Sequence, residues 1–127
     1  MPAKAEFVDV PDGQRVCVLG DGPAVSFMDR AAVYDRNYYN AALSSGIKCQ
    51  PKAAVAGGNN SGEIHLSRGG VRTLAISVPC RYIHSPSCVA CKEDIENALI
   101  SLGLPADVRG EKLGLCEYAA LSDILPL

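Results

Sequence analysis

The run Val71 to Pro79, "VRTLAISVP", constrains the fold of this chain most. Its Leu-Ala-Ile-Ser-Val centre suits a strand buried on both faces, as in a parallel sheet. A helix follows over Lys92 to Leu102, with Ile95, Ala98, Leu99 and Leu102 as its buried stripe and Gly103 as its stop. Upstream, Asp35 or Asn37 can cap a second helix. Tyr38, Ala41 and Ala42 form its apolar stripe, and Gly46 ends it. "IKCQPKAAV" (Ile47 to Val55) reads as a strand with an edge proline. "QRVCVLG" (Gln14 to Gly20) and "PAVSFM" (Pro23 to Met28) read as two short strands joined by the turn "GDG", a hairpin-like signal. Ser61 to Ser67 has the length of a short helix. Strands alternating with helices predict an α/β layer, a partial mixed or parallel sheet flanked by helices.

The regular pattern weakens after Gly103. Residues 1–103 read as the body of one domain and 104–127 as an atypical tail with three turn signals and one short helical stretch, Cys116 to Leu125. With 127 residues, of which 48% are apolar, the chain can bury one modest core. A net charge of -2 and a pI near 5.6 argue against nucleic acid as the main partner. No run of about 18 apolar residues exists to span a membrane. "MPAKAEFVDV" lacks the apolar segment of a signal peptide, so a cytoplasmic, reducing location is the expectation. Cys17, Cys49 and Cys80 sit in or beside apolar runs. The six cysteines therefore read as thiols and not as three disulfides, with Cys80 and Cys88 expected free.

Histidine is the commonest neutral metal ligand, and the chain has only His65 and His84. His84 lies just past the end of the Val71 to Pro79 run, in a loop closed by Pro86. Functional groups gather at the carboxyl ends of strands in open α/β sheets. The competing reading is a loop histidine bonded to backbone. His65 falls inside the short helix, where a structural role is the better reading. A rival metal set is Cys80-x3-His84-x3-Cys88-x2-Cys91, four ligands suited to tetrahedral zinc. Its spacing lacks the loop of about a dozen residues that usually separates two ligand pairs. "GGNNSG" has neither the G-K-[ST] ending nor the G-x-G-x-x-G spacing of a phosphate loop. It can present backbone N–H groups to a carboxylate or carbonyl, which makes Gly57, Gly58 and Asn60 candidate substrate-binding residues. Asp21 and Asp29 stand beside turns and read as solvated acids.

Three segments, "LGDGPAVSFMDRAAVYDRNYYNAAL", "KAAVAGGNNSGEIHLSRGGVRTLAISVPCRYIHSPSC" and "KEDIENAL", closely resemble the C-terminal part of the glutamyl or deblocking aminopeptidases. This endoglucanase-M-like family includes the tetrahedral aminopeptidases. The resemblance runs from roughly Asp9 to Leu99. It implies the C-terminal part of a zinc-peptidase-like (phosphorylase/hydrolase-like) catalytic domain of a cytosolic metallopeptidase. Such an enzyme holds two zinc or cobalt ions, which activate a water for attack on the peptide carbonyl next to a free N-terminus, while a glutamate acts as general base. The histidine of the family's "RY-I/L-HS" segment is its last metal ligand and matches His84; the cysteines are not ligands in that pattern. The other ligands fall in family sequence upstream of Met1, and Asp9 fits a later, non-ligand aspartate. Relatives read Gly-Gly-x-Asp-x-Gly at the glycine turn, where this chain has Asn60 for the aspartate. Glu63 replaces a small or neutral residue. The resemblance implies a peptide substrate, removal of N-terminal residues, acidic ones among them, and a homo-oligomer; the partner strands are expected either from a complementing N-terminal chain or to have been lost. Alone, the chain is expected to be inactive. A vestigial peptide- or metal-binding domain and the cysteine-based zinc module are the alternatives.

Overall fold

The computed structural model describes Pro11 and residues 15–101. A three-stranded sheet lies at its centre, in the order β2 (Gln50–Pro51), β1 (Ala24–Ser26), β3 (Ala75–Ser77). β1 is buried along its whole length, pairs parallel with β2 and pairs antiparallel with β3. A separate antiparallel ribbon joins β4 (Cys80–Arg81) to β5 (Val89–Ala90). Three helices, α1 (Arg36–Ser44), α2 (Ser61–Ile64) and α3 (Lys92–Ser101), complete a mixed α/β architecture. Among the described residues, no helix is long and apolar enough to cross a membrane.

α1 begins where its sequence signals place it. The Asp35 carboxylate accepts from the N–H groups of Asn37 (2.9 Å) and Tyr38 (3.1 Å), two donors that the first helical turn leaves free. Tyr38 and Ala42 turn inward, one helical turn apart. The same carboxylate receives Arg72 through Nε (2.6 Å) and Nη2 (2.9 Å), and the guanidinium lies over the Tyr38 ring, 4.6 Å from its centroid. This fork fixes the helix start to the segment entering β3, and the Asp35 N–H donates to Thr73 O at 3.0 Å alongside it. The Arg72 bond, with the Tyr38 N–H behind it, holds the Asp35 carboxyl down at about 2.

The segment before β1 departs from the hairpin reading. From Arg15 to Gly20 the chain forms no strand, and it packs against the β2 segment instead of pairing with β1. Ala53 N–H donates to Val16 O (2.9 Å), while the Gln50 side chain bonds both Val18 N–H (2.8 Å) and Val18 O (2.7 Å). Gly20 and Gly22 turn the chain at φ +86° and +90°. A Cβ on Gly22 would run into the Lys48 carbonyl, so the "GDG" signal marks a close backbone crossing. β3 is also not the doubly buried parallel strand of the sequence reading. It runs antiparallel at the sheet edge, with Ile76 half-buried and Ser77 exposed.

α3 has the expected extent but a different inner face. Ile95 is exposed, Leu99 is half-buried, and the fully buried residues are Asp94 and Ala98, four positions apart. Asp94 is 0% exposed and accepts from Gly22 N–H through Oδ1 and Gly20 N–H through Oδ2, both at 2.8 Å. A buried carboxylate is tolerated because these donors replace water. Leu102, Gly103, Asp9, the tail 104–127 and its Cys116 to Leu125 stretch lie outside the described residues.

Two expected outcomes follow from these anchors. Asp94→Ala leaves the Gly20 and Gly22 N–H groups unpartnered and should destabilise the chain by roughly 3 kcal/mol, read from denaturant unfolding; a loss below about 1 kcal/mol would show that the clamp is dispensable. For Asp35, the folded carboxyl titrates near 2, against about 3.9 for an unfolded aspartate. Its contribution is therefore complete above pH ~4 and disappears as pH falls toward 2. NMR titration should give a low Asp35 midpoint that rises in Arg72→Ala; an unchanged midpoint would contradict the fork.

Candidate functional site

A cavity of about 210 Å³ lies against β1 and collects most of the candidate residues. Gly57, Gly58 and Asn59 form one wall, Cys80 and His84 another, and Cys17, Asp29 and Lys52 also line it. β3 runs antiparallel, so its C-terminal end lies beside Ala24, at the opposite end of β1 from the carboxyl end of β2. The glycine turn and His84 therefore do not share one carboxyl edge of parallel neighbours. They meet because the cavity takes in both Ala24, the first residue of β1, and Asp29, past its end.

His84 sits at φ +63° in the loop between β4 and β5, two residues after Tyr82 at φ +59°. Two non-glycine residues in the left-handed region within three positions are an unusual concentration of backbone strain. Ser85 holds the bend, its N–H donating to Tyr82 O at 3.2 Å and its Oγ bonding the carbonyls of Tyr82 and Ser87. The imidazole is exposed at the cavity rim. His65, by contrast, donates through Nδ1 to Ser61 O at 2.9 Å within its own helical turn, as the structural reading expected.

The glycine turn packs on the loop after β1. Gly57 adopts φ +70°, and its carbonyl accepts from Arg30 N–H at 2.9 Å. A Cβ on Gly58 would lie 3.3 Å from the Ala31 methyl. Asn60 is exposed, precedes α2 without a side-chain cap bond, and lies outside the cavity, facing a neighbouring groove. Asn59 lines the cavity in its stead.

Asp29 is the residue that sequence reasoning placed wrongly: it is 6% exposed, not solvated. The chain folds back at a Met28–Val33 bridge, and Asp29 caps the turn by accepting from Ala31 N–H (2.7 Å) and Ala32 N–H (3.1 Å). Tyr34 Oη donates to its Oδ2 and lies 2.7 Å from Ser61 Oγ, and Asn59 Nδ2 approaches both Oδ2 and Tyr34 Oη at 3.4 Å. Burial pushes the Asp29 carboxyl up. The Tyr34 hydroxyl, the two N–H groups and the Lys52 charge outweigh it and hold the carboxyl below its ordinary range. The sequence signal was the short Asx turn, with an aspartate two and three residues before the N–H groups it accepts.

Cys17, Cys49 and Cys80 are poor nucleophiles. Burial, with the Asp94 and Cys80 charges behind it, pushes Cys17 up to about 11, against a smaller opposing pull from Lys52. Burial likewise raises Cys49 and Cys80. Cys17, Cys49, Cys80, Cys88 and Cys91 are all free. Among the described residues, no three His, Cys, Asp or Glu side chains come together as a metal set, so Cys80, His84, Cys88 and Cys91 do not assemble the zinc module. Nor do the described residues by themselves fit a two-metal centre. His84 is a free-standing donor at the rim, and the Asp29 oxygens are engaged by the protein's own donors.

Comparison with known proteins matches this architecture. The model of the M42 glutamyl aminopeptidase family matches residues 3–100. A curated relative from Acetivibrio thermocellus, "Putative aminopeptidase", is 36% identical over 96 residues, covering 72% of this chain and 29% of the relative. The solved aminopeptidase of the archaeon Desulfurococcus kamchatkensis superposes with a TM-score of 0.70 at 28% identity, covering 76% of this chain and 29% of that one. A TET aminopeptidase from a marine sediment archaeon of the Thaumarchaeota gives 0.67 at 25% identity, covering 94% and 34%. The dodecameric PhTET1 gives 0.55 at 27% identity, covering 69% and 28%. The chain thus spans about a third or less of the length of each of these relatives. Over the greater part of its own length, it belongs to the M42 glutamyl aminopeptidase family.

Proposed function

We propose that this chain is the C-terminal part of an aminopeptidase catalytic domain and contributes one wall of its active site. His84 would supply a single ligand to a divalent-metal centre, zinc or cobalt, whose remaining ligands come from sequence that this chain does not match. When bound, the metal supplies Lewis acidity for peptide hydrolysis. The backbone of Gly57 and Gly58 would meet the peptide substrate, with Asn60 just outside. One observation carries the reading: a strained loop histidine and a glycine turn, far apart in sequence, line the same cavity. Strain of this kind persists only where the surroundings over-determine it, and it concentrates at functional sites. A homo-oligomer in the cytoplasm is the setting that the family resemblance suggests, and one structural neighbour is itself a dodecamer. The chain by itself is inactive on this reading, because one imidazole leaves most of a metal's coordination sphere to water.

Two constructions test it. The purified chain with zinc or cobalt should not hydrolyse aminoacyl-p-nitroanilides. Turnover that vanishes in His84→Ala would show instead that it assembles a complete centre alone. Grafted in place of the matched segment of the A. thermocellus relative, residues 3–100 should support hydrolysis. In that chimera His84→Ala should lower turnover by about 100-fold or more, since even outer-shell partners of metals are worth 10–100-fold. A chimera indifferent to His84→Ala would overturn the ligand assignment.

A further inference from the structure

The β4–β5 ribbon brings two thiols to one of its faces and carries His84 in the loop between them. Its register is Cys80↔Ala90 and Arg81↔Val89. Opposite residues of an antiparallel pair share a face, and so do residues two apart along a strand. Cys88, immediately before β5, therefore falls on the face of Ala90 and Cys80, diagonal to Cys80. Cys91 falls on the face of Val89 and is held at the start of α3, where its carbonyl accepts from Ile95 N–H at 3.3 Å. Cys88 is exposed, whereas Cys80 is half-buried at the cavity wall. The Cys88 charge adds to burial in raising the Cys80 thiol, so the two groups sense each other. Cys17 lines the same cavity but is only 5% exposed, which shields it from a dissolved oxidant.

The spacing of the pair decides what a bond between them would do. Diagonal positions of an antiparallel ladder stand about 7–8 Å apart at Cα, whereas a disulfide spans about 4.4–6.8 Å. A Cys80–Cys88 bond therefore forms only if the backbone moves. Cys80 is fixed inside β4, and Cys88 lies outside the ladder. The shift is passed on through Ser85, whose Oγ bonds the carbonyl of Ser87, next to Cys88, as well as that of Tyr82. Those bonds hold the bend in which Tyr82 and His84 adopt positive φ, and Ile83 and His84 line the cavity. Pulling on Cys88 thus moves the imidazole. A bridge under this strain is also readily reduced, as regulatory disulfides are.

We propose that Cys80 and Cys88 form a reversible dithiol switch, closed by low-molecular-weight disulfides, whose closure displaces the His84 loop at the cavity rim. The Cys88 thiol gives its proton to solvent and attacks one sulfur of the small disulfide. That S–S bond breaks, a mixed disulfide forms on Cys88, and one small thiolate leaves. Cys80, deprotonated in turn, attacks the Cys88 sulfur, forms the protein bridge and expels the second small thiolate. The two thiolates take up the two protons. Two protein thiols are oxidised and one small disulfide is reduced to two thiols. Cys80 is a poor nucleophile toward solutes, but its step is intramolecular, with the target on the same face. The switch does not depend on the catalytic reading; only its consequence for metal ligation rests on that reading.

The probe is glutathione disulfide, applied to the full chain. Trypsin cleaves after Arg81 and Lys92, so Cys80 falls in one peptide and Cys88 with Cys91 in the next. After oxidation these two peptides should appear as one disulfide-linked species that dithiothreitol separates. Cys88→Ser, at an exposed position, should fold as the wild type and abolish the link, while Cys91→Ser retains it. In NMR spectra the His84 ring signals should shift on oxidation of the wild type and stay in place in Cys88→Ser, with those of His65 unmoved in both. A mixed disulfide that persists on Cys88, a Cys88–Cys91 bridge within one peptide, or a Cys17–Cys80 bridge overturns the pairing. A Cys80–Cys88 bridge that leaves the His84 signals in place overturns the switch. Hydrolysis is measured separately in the chimera, where oxidation should lower turnover by about 10-fold or more. Closure that moves His84 without changing that turnover leaves the switch standing and contradicts the ligand reading alone.

Discussion

Asp94 is the group on which the rest of the fold depends. Its two oxygens take the N–H groups of Gly20 and Gly22, 74 and 72 residues earlier, and so close the loop ahead of β1 onto α3. The apolar core is small and made chiefly of alanine, valine and tyrosine side chains. Area burial alone stabilises such a unit weakly. A charge-assisted polar anchor at the centre then carries more weight, because leaving any of its members unpaired is penalised by the full loss of solvation. The same anchor sets the site: the loop it holds carries Cys17, and the strand that follows begins at Ala24, both on the cavity wall.

Two polar devices repeat this logic nearer the surface. Asp35 caps α1 and receives Arg72, tying a helix start to the segment that enters β3. Asp29 caps the turn after β1 and gathers Tyr34, while Ser61 and Asn59 adjoin the pair. All three aspartates bind backbone N–H groups at places where two elements meet. The glycine turn is positioned by this last network, because Asn59 and Ser61 belong both to it and to the residues flanking the turn. Asp29 itself lines the cavity, and a change at Tyr34 would reach the cavity through this network.

Local signals in the sequence were legible and long-range ones were not. The cap, stripe and stop of α1 lie within a dozen residues, so propensity and periodicity found them. The extent of α3 was legible for the same reason. Its inner face was not, because periodicity ranks apolar residues and cannot foresee that Asp94 will be matched by two glycine N–H groups from the other end of the domain. The "GDG" turn was read as a hairpin since nothing local shows that Gly22 crosses Lys48. "LAISV" fits both a doubly buried strand and an edge strand, and only its partner decides. Of the candidate residues, His84, Gly57 and Gly58 were named from placement and resemblance, and they line one cavity. Asn60 was chosen by motif alignment and lies one residue outside it.

Asp94 ties the interior of this small unit, and among the described residues its sheet ends at β3. Amide hydrogen exchange on the isolated chain tests both halves at once. Gly20 and Gly22 should exchange with the slowest amides of the domain. Along β3 protection should alternate, Ala75 and Ser77 slow and Ile76 fast, because only Ile76 points away from β1. Rapid exchange at Gly20 and Gly22, or an Ile76 amide protected as well as its neighbours, would contradict this arrangement.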